Sequence, residues 1–228
     1  MTLREQAYGA FTQQLLDRRL LPGQFVSQRE LAEATCFSLG AIREMIPRLE
    51  AEGLIRAISQ RGLQIARIDP ALIHDSFQLR EMIELQAVAA FARAAPDAAI
   101  AVEIARLDTM KSGMDASVTD EALATAQQSD WAMHDAIVAH LGNRIVTELH
   151  RVNSIRIRMI LGERIGLSPR RLPVALREHA AVVAALARRD EAGAVASLAA
   201  HLNSSRRRAM HFEDVEQGGE ADPPARPR

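Results

Sequence analysis

The sequence changes character at Asp69-Pro70, and that break constrains the fold more than any other feature. Ahead of it lie short runs punctuated by glycine and proline. Behind it, to about residue 212, lie long Ala/Leu-rich stretches with apolar residues at three-to-four spacing and almost no alternating pattern, the period of helices that bury one face. Three parts are expected: a small unit at 1–69, an all-helical unit at 70–212, and a polar, Pro/Gly-rich tail at 213–228 that is disordered. The fold class is therefore mainly α. At 228 residues the chain can bury a real core. No apolar run approaches the ~18–20 residues of a membrane span, and the N-terminal residues lack an apolar signal core. Cys36 stands alone, which excludes a disulfide framework. These features predict a cytoplasmic protein with no membrane partner.

The first unit reads helix, helix, helix, hairpin. Leu3 to Arg19 is amphipathic through Ala7, Phe11, Leu15 and Leu16, and Leu21-Pro22-Gly23 stops it. Ser27 followed by Glu30 is a capping box, opening a short helix through Ala34. After a tight connection at Thr35-Cys36-Phe37, Ser38 caps a third helix with Ile42, Met45, Ile46 and Leu49 facing inward. Pro47 falls in that helix, where proline costs roughly 3 kcal/mol or kinks the axis. Leu54–Ile58 and Leu63–Arg67 flank the turn residues Ser59-Gln60-Arg61-Gly62 and predict a hairpin.

Two short helices and a tight turn make a helix-turn-helix, and the hairpin makes it winged. The second helix of such a pair enters the major groove by its N-terminal end, which places Ser38, Gly40, Ala41 and Arg43 at or near DNA. Arg43 can fork onto guanine. Arg29 and Arg48 suit phosphate, and Arg61 sits at the hairpin tip. Residues 1–69 carry nine arginines against eight acidic residues. DNA affinity must then come from clustering on one face and from dimerisation.

The second unit divides into about six helices, near 71–95, 97–115, 118–141, 143–164, 168–188 and 190–212, with short connections that favour an antiparallel bundle. Three of them carry polar residues on the apolar stripe. Asp130 and His134 project side by side at i, i+4 among Leu123, Ile137 and Leu141. His179 lies in line with Leu172, Leu176, Val183 and Leu186, and His201 is bracketed by Val195, Leu198 and Leu202. Singly, each reads as a hydrogen-bonded core residue. Together they aim a carboxylate and three imidazoles at one core, where an unpaired carboxylate costs several kcal/mol. A divalent metal satisfies all four. Three histidines and one aspartate suit zinc or nickel, with iron or manganese as alternatives, rather than calcium. His74, His140, His150 and His211 show no such pattern and read as solvated or structural.

In order and spacing, the first unit resembles the GntR family of bacterial transcription regulators. Leu21-Pro22-Gly23, Arg29-Glu30-Leu31-Ala32, Ser38-Leu39-Gly40-Ala41-Ile42-Arg43-Glu44, Leu49, Glu52-Gly53-Leu54-Ile55 and the wing glycine Gly62 carry the likeness. The sequence departs from the family at Leu39, where arginine is usual, at Ala41, and at Met45-Ile46-Pro47. The second unit resembles the FCD effector-binding domain of the FadR-type branch. Its metal-binding members share Asp-x-x-x-His and two later histidines, here Asp130, His134, His179 and His201. Arg80, Glu84 and Gly142-Asn143 also match.

The resemblance implies a homodimer on a short palindromic operator, with a metal at the base of a ligand cavity. A small organic acid would chelate the ion, with Arg80 as charge partner and Asn153 and Arg156 as further pocket residues, and would release a repressor from double-stranded DNA. Two other readings stand beside it: a regulator in which the ion itself is the signal, and a metal-dependent enzyme. No well-placed general base supports the enzyme, and a winged helix has no role in hydrolysis.

Overall fold

The computed structural model describes residues 2–115, 119–164 and 171–217. The chain opens with α1 (Leu3–Leu16), in which Thr2 and Glu5 form a reciprocal capping box. After β1 (Phe25–Val26) comes α2 (Gln28–Thr35), opened by the Ser27/Glu30 capping box that the sequence predicts. Cys36 takes the left-handed conformation, φ 58°, and turns the chain sharply into α3 (Leu39–Ala51). There the Ser38 hydroxyl accepts from the Ala41 N–H.

Helix α3 runs unbroken through Pro47. Proline removes the donor for the carbonyl four residues back, which is that of Arg43. Arg43 and Pro47 both lie on the solvent side, where water can serve that carbonyl.

The wing consists of β2 (Ile55–Ile58) and β3 (Gly62–Ile65). Strand β1, which the sequence reading did not anticipate, completes an antiparallel sheet in the order β1-β3-β2. A Cβ on Gly62 would lie 3.0 Å from the Val26 carbonyl oxygen, and its φ of +86° is one that side chains rarely adopt. Glycine is therefore required where β1 crosses the hairpin.

The bundle comprises α4 (Pro70–Ala94), α5 (Asp97–Asp115), α6 (Asp120–Ala139), α7 (Arg144–Arg164), α8 (Leu172–Ala187) and α9 (Glu191–Gln217). Asp69 caps α4 and Pro70 supplies its first turn, so the compositional break is also a helix start. Helix α9 continues to Gln217, into the segment expected as tail; residues 218–228 lie outside the described residues. Ile83, Val88, Phe91, Ile137, Leu176, Val183 and Leu198 belong to the main bundle core. A second core fills the head with Phe11, Leu31, Ile42, Met45, Leu49, Leu54 and Ile65, and two bundle residues, Ile155 and Met159 of α7, pack into it. The head is thus seated on α7. Charged groups close the seam: the Tyr8 hydroxyl donates to Glu52 at 2.5 Å, and Arg151 donates to the Tyr8 oxygen at 3.0 Å and to Glu52 at 3.2 Å.

Candidate metal centre and nucleic-acid interface

Asp130, His134, His179 and His201, from three helices, converge in the bundle. Each offers one donor atom, and the four donors lie within 4.8 Å of one another. The imidazole centroids are 4.5 to 5.8 Å apart. All three histidines are buried.

Each ring is held by its Nδ1. His134 Nδ1 meets Glu84 Oε2 at 2.6 Å, and Glu84 also accepts from Arg80 Nε at 2.8 Å. His179 Nδ1 donates to the Ala175 carbonyl one turn back, at 2.7 Å. His201 Nδ1 meets Glu178 Oε2 at 3.0 Å. An Nδ1–H given to an acceptor leaves the Nε2 lone pair as the donor, the arrangement that orients metal-ligating histidines. Asp130 Oδ1 lies 2.5 Å from His179 Nε2 and 3.6 Å from His134 Nε2. Yet Asp130 Oδ1, His134 Nε2 and His179 Nε2 are buried and close no well-formed hydrogen bond among themselves. Buried polar atoms left in this state are rare, and a cation among them would satisfy all three at once. The donor set therefore fits a divalent ion of the nitrogen-preferring kind.

The electrostatics divide the rings. Burial works against charge on His134, but the Glu84 carboxylate outweighs it and pushes the imidazole up to about 9. Burial and then the neighbouring His179 pull His201 down to about 3. Burial raises Glu84 and Asp130, but Arg80 and His134 overcome it at Glu84, and His179 and His134 at Asp130. Both carboxyls are held below their ordinary range and stay ionised.

Two cavities flank the cluster. An outer cleft of about 500 Å³, counting its open mouth, meets Asp130, His179 and His201, with Gln127, Arg171 and Arg208 among its other walls. A tighter inner cavity behind His134 is walled by Arg80, Trp131, His150, Asn153, Ser154 and Arg158 among others. Arg80 and Asn153 thus adjoin the cluster from behind. Arg80 is already neutralised by Glu84, and the Asn153 amide donates to the Ser76 carbonyl at 2.9 Å.

Arg156 is a correction. Its guanidinium donates to the Glu52 carbonyl of the head and lines neither cavity, because its side of α7 faces the seam. His150, read as solvated or structural, is buried against Asp135 at 3.0 Å and Ser154 at 3.2 Å. Glu178, the anchor of His201, escaped the sequence reading altogether, although it directly precedes His179 in the chain.

On the head, Arg29, Ser38, Gly40, Arg43 and Arg61 are exposed. Arg43 donates to Gln28 at 3.1 Å, linking α3 to the start of α2, and Arg61 stacks over Phe25 on the wing. Two expectations are corrected. Ala41 is buried in the head core, so its side chain is not offered to a partner. Arg48 faces the bundle: it pairs with Glu52 at 2.8 Å and with Glu148 of α7 at 3.1 Å, and covers the Tyr8 ring. At the far end of α3 its charge is paired across the seam.

A winged helix-turn-helix head on an all-helical domain is the architecture of a DNA-binding transcriptional regulator. The chain belongs to the GntR family of bacterial regulatory proteins with an FCD domain: residues 3–65 match the family model for bacterial regulatory proteins of the gntR family, and residues 75–204 match the FCD domain. It is a transcriptional regulator of that family, whose members bind DNA operators and are not enzymes. An HTH-type transcriptional regulator from an unstable DNA locus of Streptomyces ambofaciens is 36% identical over 84 residues, covering 37% of this chain and 36% of that one. The HTH-type regulator YdhC of Bacillus subtilis (strain 168) is 22% identical over 220 residues, covering 94% of this chain and 93% of that one. Among solved structures, E. coli McbR/YncC superposes with a TM-score of 0.77 at 19% identity, covering 93% of this chain and 99% of that one. The metal-free FCD domain of TM0439 gives 0.54 at 18% identity, covering 66% of this chain and 99% of that one. Among the described residues no helix is long and apolar enough to cross a membrane.

Proposed function

We propose that the protein is a homodimeric, ligand-responsive repressor that holds a divalent metal on Asp130, His134, His179 and His201, and that a small organic acid bound at the ion releases it from its operator. One observation carries the metal: the buried, unbonded donors of Asp130, His134 and His179. Zinc or nickel suits the donor set best, with iron or manganese next. When bound, an ion of octahedral coordination would supply a Lewis-acidic anchor for a carboxylate oxygen, because four protein ligands would leave it two positions for exogenous oxygen donors.

The DNA contacts in this reading are Arg29, Ser38, Gly40, Arg43 and Arg61. Arg43 reads a base edge or holds phosphate, Arg29 holds phosphate, and Arg61 reaches from the wing. Helix α7 supports the response. One side of it carries Arg151, Ile155 and Met159 into the head, while His150, Asn153 and Arg158 of the same helix wall the cavity behind His134. A shift of this rod at the cluster therefore moves the head. Operator half-sites lie one helical turn apart, so a small rotation breaks simultaneous engagement.

The test is elemental analysis with operator binding. The wild type is expected to hold one ion per chain and His134→Ala to lose it. Unchanged stoichiometry in the variant overturns the ligand assignment. Organic acids added to the metal-loaded protein are expected to weaken operator binding. Release by metal alone makes the ion itself the signal, and tightening by acid makes the protein a corepressor system.

A further inference from the structure

Among the described residues, the outer cleft holds more positive charge than its own acids neutralise. Arg171, at the start of α8, and Arg208, on α9, both line it. Among the described residues the one carboxylate they pair with is Glu178, at 3.0 Å from Arg171 and 3.8 Å from Arg208. Glu178 is committed elsewhere as well: its Oε2 is the acceptor for His201 Nδ1, and its Oε1 accepts from Ser204 at 2.8 Å. Among the described residues Arg208 otherwise finds only the hydroxyls of Ser204 and Ser205, and its Nε is buried without a partner there. That Nε leaves an open position for an acceptor, since buried donors are almost always matched, and the distant, shared Glu178 does not fill it. Burial and the like charge of Arg171 pull Arg208 down to about 10, so the two cations crowd one another.

The metal end of the same cleft is also under-neutralised. Binding would displace the proton from His134 Nε2, and with three neutral imidazoles and the Asp130 carboxylate a divalent ion would keep one positive charge. Among the described residues, the two guanidiniums against a single shared Glu178 leave another. Met110, Leu161 and Ala175 supply apolar wall to the same cleft, room for a short carbon chain.

We propose that the cleft takes a small dicarboxylic acid as its dianion, with one carboxylate at the ion and the second on the Arg171–Arg208 pair. This rests on the metal-centred reading above. It places the effector's charge partners on α8 and α9 and not at Arg80, whose charge Glu84 consumes. Arg208 acts as the specificity-determining residue. A monocarboxylate reaches the ion but leaves the guanidinium pair without its anion. Planar guanidiniums hold carboxylates through paired, charge-assisted hydrogen bonds, and losing one such contact typically costs tenfold or more in affinity.

The experiment titrates metal-loaded full-length protein calorimetrically with malonate, succinate and glutarate, and with their monoamides, which keep the shape and remove one charge. Metal content is read on the same samples. The wild type is expected to bind at least one dianion about tenfold or more tighter than its monoamide. Arg208→Gln is expected to keep its metal while losing that preference, and Arg171→Gln to lose part of it. A metal-loaded wild type that binds no acid of the series, or binds acid and monoamide equally, overturns the proposal. So does an Arg208→Gln variant that retains the preference. A wild type without metal that nonetheless prefers dianions, and loses the preference in Arg208→Gln, overturns the metal reading and upholds the arginine pair. Circular dichroism separates these results from misfolding, and Arg208→Lys, which restores charge without the planar fork, is expected to recover part of the preference.

Discussion

Glu84→Gln is the most informative single change, because one carboxylate carries two separable duties. It neutralises Arg80 at 2.8 Å and receives the Nδ1–H of His134 at 2.6 Å, and all three side chains are at most 6% exposed. Glutamine is isosteric but presents one acceptor and one donor. If its oxygen stays on Arg80, its amide N–H faces His134 Nδ1. The imidazole must then accept there and carry its proton on Nε2, pointing N–H at the cluster in place of a lone pair. If the amide flips, two donors oppose each other at Arg80. Either orientation also leaves the buried guanidinium without its counter-charge. Breaking one side of a buried ion pair costs about 3–5 kcal/mol, a large share of the roughly 5–15 kcal/mol that holds a domain together. Losing the group that orients a metal-ligating histidine typically costs 10–100-fold in metal affinity. The two effects are parted by the double variant Arg80→Met/Glu84→Gln, which removes the orphaned charge but not the wrong tautomer. Urea denaturation is expected to show stability falling in the single variant and recovering in the double. Competition against a chromophoric chelator is expected to show metal affinity depressed in both. If metal affinity recovers along with stability, the tautomer reasoning is wrong and Glu84 matters only as a structural counter-ion.

Three further outcomes follow from the head and its seam. Arg43→Ala is expected to weaken operator binding and lower the slope of log affinity against log salt by about one, whereas Arg48→Ala leaves that slope unchanged; equal slopes for the two variants in fluorescence anisotropy would place Arg48 on DNA after all. Burial and then the Glu52 hydrogen bond push Tyr8 up to about 12, against about 10 in an unfolded chain. The raised value favours the neutral phenol in the folded state, so its contribution is complete below pH 10 and is lost as pH rises toward 12. Urea midpoints from pH 9 to 12 should fall less steeply in Tyr8→Phe, and parallel curves would remove Tyr8 from the seam's energetics. Ile155→Ala, which deletes a bundle side chain buried in the head core, is expected to cost about 2–4 kcal/mol; a loss under 1 kcal/mol by the same measurement would mean that the head does not depend on α7.

What could be read from the chain in advance follows the range of each interaction. Helix starts were legible because their signals are three residues long: the Ser27/Glu30 box and the Ser38 cap both formed where the spacing placed them, while Asp69-Pro70, read only as a break, proved to be a capped helix start. The cluster was legible for a related reason. Asp130, His134, His179 and His201 each interrupt an apolar stripe, and stripes must face a common core, so convergence followed from periodicity alone. Strand β1 was not legible: two residues are too short to show alternation, and its pairing with β3 is set by Gly62. Arg48 and Arg156 were misplaced because periodicity says which face of a helix is polar, not which polar face meets another domain. An arginine bound for phosphate and one bound for Glu148, a hundred positions away, look alike in sequence. Glu178 shows the same limit from inside the bundle. It precedes His179 by one residue and therefore points off the apolar stripe, yet it reaches across to α9 and fixes the ring of His201. Ligand residues must share the buried stripe, but the residues that aim them stand beside it, where their position on a single helix carries no signature of the partner.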